Sequence, residues 1–115
     1  MSKMKLAVKR RWIKALRSGK YRQGKGQLKD EYPSGKASYC CLGVLCDLYN
    51  KTCKTDRWEK TFYSEDTDLP WTVMKWAGLD DSDPVIDIKS NQEASMLNDH
   101  GSSFNEIADL IKKNL

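Results

Sequence analysis

Four cysteines, one histidine and several close-set carboxylates are the residues of this chain with chemistry to offer. Cys40, Cys41, Cys46 and Cys53 stand near one another in sequence, and His100 is the single histidine. A structural zinc site is built from paired C-x2-4-C elements or Cys/His pairs. Adjacent cysteines followed by C-x4-C inside an apolar run do not supply that pattern, so zinc is not expected. A Cys–His nucleophile pair would have to join Cys46 or Cys53 to His100 through the fold, and nothing local marks such a pair. The cysteines read instead as small buried hydrophobes, with Cys53 the one expected at the surface. Asp66 and Asp68, and Asp80, Asp81 and Asp83, form acidic clusters. They lack the glycine and the terminal glutamate of a calcium loop and read as solvated turns. No catalytic residue, cofactor or metal ligand is assigned.

A second chemistry is more visible. Residues 1–36 hold 12 Lys/Arg against Asp30 and Glu31, a net of +10, whereas residues 37–115 hold 8 against 14, a net of −6. Such asymmetry suggests an anion-facing end, or two ends that attract each other within or between chains. Within the basic part, Gly19, Gly24 and Gly26 alternate with Lys20, Arg22 and Lys25, with Tyr21 among them. Glycines free the backbone for turns, and exposed N–H groups with cations can cradle an anion. The segment is not a P-loop, because G-x4-G-K-[ST] is absent. The candidate anion-binding residues are Arg10, Arg17, Lys20, Tyr21, Arg22 and Lys25. A solvated basic helix followed by a connector is the plainer alternative.

These residues need elements to hold them. Residues 38–50, SYCCLGVLCDLYN, are apolar around nearly the whole helical circumference, which predicts a central buried helix. Ser38 is its expected N-cap, and Gly43 its expected point of close approach by another helix. Residues 1–18 contain a basic amphipathic helix, with Met4, Val8, Trp12 and Leu16 at i+4 spacing facing in. Lys3, Arg10, Lys14 and Arg17 lie on the opposite ridge. Gly19 is its expected C′ residue. Residues 57–63 suggest a strand of a small hairpin, residues 70–77 a helix ended by Gly78, and residues 85–88 a short strand. Residues 92–98 read as a short helix or turn with Met96 and Leu97 inward. Residues 103–113 form the C-terminal helix, opened by the capping box Ser103-x-x-Glu106. The expected fold is mainly α (α+β): one domain, 1–115, of about four helices with a minor β-hairpin. Its expected core is Trp12, Leu16, Leu42, Leu45, Leu48, Val73, Trp76, Phe104, Ile107 and Ile111. No apolar run reaches the ~18–20 residues of a membrane helix, and no secretory h-region follows the basic N-terminus. The expected location is cytoplasmic.

The motif series Trp12…Leu16-Arg17-Ser18-Gly19…Tyr21…Gln23-Gly24, then Tyr39-Cys40-Cys41-Leu42-Gly43-Val44-Leu45-Cys46, then Leu69-Pro70, then Leu97-Asn98-Asp99…Gly101…Ser103-Phe104…Glu106-Ile107-Ala108 resembles a group of small proteins encoded by tailed bacteriophages and prophages. The resemblance implies an origin and a mainly helical domain; it implies no activity and no catalytic residue. It adds a class-level expectation, that such proteins bind something of the host. Three functional readings follow. The first is a non-catalytic accessory protein that binds an anionic host ligand, such as a nucleotide signal of host defence. The second is a protein-interaction inhibitor of a host enzyme that uses the acidic surface. The third is nucleic-acid binding by the N-terminal helix. The opposed charges also permit oligomers.

Overall fold

The i+4 stripe of the N-terminal segment dictates the first packing event. In the computed structural model, which describes residues 4–55 and 67–115, helix α1 spans Leu6–Arg17 and buries Val8, Trp12 and Leu16. Met4 is buried just ahead of it, and Gly19 follows in the left-handed region, as expected. The stripe lies against the C-terminal helix and the central helix. Trp12 is fully buried, and its indole Nε1 donates to the Cys41 carbonyl at 2.9 Å. A buried indole needs such an acceptor, and this one fixes the axial position of one helix on the other.

The central helix, α2 (Cys41–Cys53), buries every residue from position 41 to 46. Its N-cap is Cys40, whose Sγ accepts from the Gly43 N–H at 3.4 Å. Ser38 is not the cap. It belongs to strand β2 (Ala37–Tyr39), which pairs antiparallel with β1 (Lys29–Glu31), Asp30 opposite Ser38. The strand ladder claims residues 37–39 before the helix can start. Gly43 is a point of close approach, but the neighbour is not a helix. A Cβ there would lie 1.7 Å from the Leu28 carbonyl oxygen, so the backbone leading into β1 is what requires glycine.

Helix α3 (Trp71–Ala77) follows Pro70 and ends at Gly78, whose φ is +78°. Its last carbonyl, that of Ala77, accepts from the Lys5 N–H at 2.8 Å and so ties it to the start of α1. Strands β3 (Val85–Asp87) and β4 (Gln92–Glu93) form a second antiparallel pair with an irregular register. Helix α4 (Ala94–Asp99) buries Ala94, Leu97 and Asn98, while Met96 faces outward, contrary to expectation. Helix α5 (Phe104–Asn114) opens with the expected capping box and buries Phe104, Ile107, Ala108 and Ile111. The described residues thus form five helices and two small hairpins, a mainly α domain with a minor β component. Of the expected core, Leu48 and Trp76 are half-buried at its rim, and the rest are buried. Leu28, Leu69, Leu79 and Ile86 also belong to it. The strand expected between Arg57 and Tyr63, and also Lys3 and Asp66, lie outside the described residues. Among the described residues no helix is long and apolar enough to cross a membrane.

Candidate anion-binding groove

Because positions 8, 12 and 16 face inward, the 3.6-residue period turns positions 6, 9, 10, 13, 14 and 17 toward a second face of α1. That face forms one wall of an open groove of about 740 Å³, closed by Ser18 and Lys20 beyond the helix and by Lys112 from α5. Leu6 and Ile13 supply its apolar surface. Leu6 is 57 % exposed, whereas Ile13 is partly buried against the core. Lys9, Arg10, Lys14, Arg17, Lys20 and Lys112 supply the charge. Arg17 is held by Asp109 of α5, Nη2 to Oδ1 at 2.5 Å, and both side chains are exposed. Such a pair orients the guanidinium and adds at most about 1 kcal/mol. Cations in the last turn, Lys14 and Arg17, suit the helix dipole. Lys9 and Arg10 have no such reason, and the first turn carries no acid.

A smaller groove of about 250 Å³ adjoins the first and shares Lys14, Ser18 and Lys20 with it. Arg11, Tyr21 and Lys51 complete its polar lining. Tyr21 is fastened there. Its hydroxyl donates to Asp47 Oδ2 at 2.5 Å and accepts from Lys51 Nζ at 3.2 Å. The Lys51 ammonium lies 5.3 Å from its ring centroid, and the Tyr39 ring meets it in a T-shaped contact at 5.1 Å. Burial, then the hydrogen bond to Asp47, pushes the Tyr21 phenol well up from its ordinary value. The ring acts as a wall with little free face for stacking.

The glycine-rich segment is stitched to the body of the protein. The Gly24 N–H donates to the Tyr39 carbonyl at 2.8 Å, and the Gly26 N–H to Asp99 Oδ1 at 2.9 Å. Gln23 Nε2 donates to Asn98 Oδ1 at 2.9 Å and to the Ser102 carbonyl at 2.7 Å. These amides already have acceptors within the chain. Of the candidate residues, Arg10, Arg17 and Lys20 line the larger groove, and Lys20 and Tyr21 the smaller. Arg22 and Lys25 are exposed and line neither. Lys9 and Lys14 were not among the candidate residues, and helical spacing put Leu6 and Ile13 only at the margin of the inward stripe. Lys112 had no local signal, since it arrives by the packing of α5 on α1.

The thiols have a different character. Cys40, Cys41 and Cys46 are buried and Cys53 is exposed, as expected. Burial pushes the Cys40 thiol up to about 11, and those of Cys41 and Cys46 also rise, burial again the main cause. They hold their protons at neutral pH and are poor nucleophiles. Among the described residues no group of three or more His, Cys, Asp or Glu is placed to hold a metal ion. Within the acidic turn, Asp83 caps α4: its Oδ1 accepts from the Ser95 N–H at 3.0 Å and its Oδ2 from the Ser95 hydroxyl. Burial raises this carboxyl, and the Ser95 hydrogen bonds oppose the rise.

One family model, that of a domain of unknown function (DUF8296), matches residues 4–115. No curated protein and no solved structure matches the chain.

Proposed function

The chain belongs to the DUF8296 family, and on that premise we propose that it is a non-catalytic binding protein for an anionic ligand. The supporting observation is the α1 groove, where six cations from three places in the chain surround an apolar surface. A ligand there meets converging positive charge without any group suited to bond-making. The inert buried thiols agree with that reading. In the phage setting that the motif series suggests, binding of this kind would sequester a host ligand, for which a nucleotide is one concrete form. The test is native mass spectrometry of the protein as purified, followed by thermal denaturation with ATP, pyrophosphate and an acidic peptide as probes. A ligand at 100 times its Kd stabilises the folded state by ~2.7 kcal/mol. The expected outcome is stabilisation by at least one anion, lost in Lys14→Glu/Lys20→Glu. Stabilisation by none, or stabilisation unchanged in that variant, would overturn the proposal.

A further inference from the structure

We infer that the ligand of the α1 groove is an acidic amphipathic helix of a partner protein. This deepens the anion-binding reading and rests on it. Leu6 and Ile13 are seven residues apart on α1, two helical turns or about 10.5 Å along the axis. That is the spacing at which a helix laid alongside another presents its apolar residues in register. Leu6 is a large apolar side chain more than half exposed amid cations. The groove is concave, with α1 on one side and Lys112 of α5 on the other. Concavity suits a helix seated along α1 better than a flat lipid surface. Lys9, Arg10 and Lys14 flank the apolar pair, and no carboxylate lines the groove among the described residues. Charges beside an apolar seam select the partner by sign, so this seam selects acidic residues and repels basic ones.

A small molecule fits the chemistry of the lining less well. Sites for small ligands fix orientation with a few rigidly placed polar groups. Apart from Ser18 and the Arg17 held by Asp109, the polar groups of this groove are cations on flexible stems, and no aromatic ring lines it among the described residues. An amphipathic helix needs neither, because its own periodicity aligns apolar residues with Leu6 and Ile13 and acids with the rim.

The experiment uses the full chain and a labelled 18-residue synthetic peptide with leucines on one helical face and glutamates flanking them. The controls are the same composition with the leucines scattered, ATP, and phosphatidylglycerol vesicles. Fluorescence anisotropy is expected to show the patterned peptide binding at least tenfold more tightly than the scattered one. Leu6→Ser is expected to remove that preference while leaving the thermal midpoint in place. Equal binding of the two peptides overturns the inference and leaves the anion-binding reading standing. So does binding of ATP or vesicles alone, provided Lys14→Glu abolishes it. No binding of any probe overturns both.

Discussion

Asn98 is a residue on which three parts of the chain, distant in sequence, converge. It is fully buried, and its amide uses its whole hydrogen-bonding capacity. Oδ1 accepts from Gln23 Nε2 at 2.9 Å and from the Cys41 N–H at 3.2 Å. Nδ2 donates to the Gly24 carbonyl at 2.7 Å and to Asp99 Oδ1 at 3.3 Å. One side chain thereby joins the glycine-rich segment, the first turn of α2 and α4. This convergence gives the Leu97-Asn98-Asp99 motif a structural role. Asn98→Ala leaves a buried N–H and a buried carbonyl with one partner fewer, and should cost about 2–4 kcal/mol. Urea denaturation measures it; a loss below about 1 kcal/mol would mean that water or relaxation replaces the amide.

Helices α1 and α5 show two different ways of being stable. In α5 the Glu106 N–H donates to Ser103 Oγ at 3.1 Å, and the Ser103 N–H to Glu106 Oε1 at 3.0 Å. Ser103→Ala should therefore cost about 1 kcal/mol, read as a lower denaturation midpoint at unchanged slope. Helix α1 has no side-chain cap and no acid in its first turn. A 12-residue helix without those aids depends on tertiary packing, which Val8, Trp12 and Leu16 provide. Its outer face is then free to carry cations that local stability does not ask for.

At the scale of the whole molecule, charge is divided along the chain: residues 1–36 supply most of the groove's cations and Lys112 joins them, while the excess of acids lies beyond residue 36. Binding at the groove should weaken with salt, and the steepness identifies the ligand class. An acidic peptide should lose affinity only several-fold between low and physiological salt, as charges screen over about 8–10 Å. A loss of ~10³–10⁵ between 50 and 200 mM would instead indicate counterion release from nucleic acid. Titration of the labelled probe at the two salt concentrations distinguishes them. Much of this architecture was legible in the sequence. Periodicity determined the inward stripes of α1 and α5 and the burial of residues 41–46 and of three of the thiols, and residue type at the helix ends determined the Ser103 cap and the stops at Gly19 and Gly78. Each is a local consequence of side-chain type and spacing. What only the tertiary structure decided depends on partners distant in sequence. Pairing with β1 turned Ser38 from a cap into a strand residue. The backbone at Leu28, not a helix, required Gly43. Asn98 and Asp99 occupied the Gln23 and Gly26 donors, and the Tyr39 carbonyl that of Gly24, the donors that alone resemble an anion cradle. The arrival of Lys112 against α1 made a groove from a helix face, because a concave site needs two walls and a single amphipathic helix encodes one.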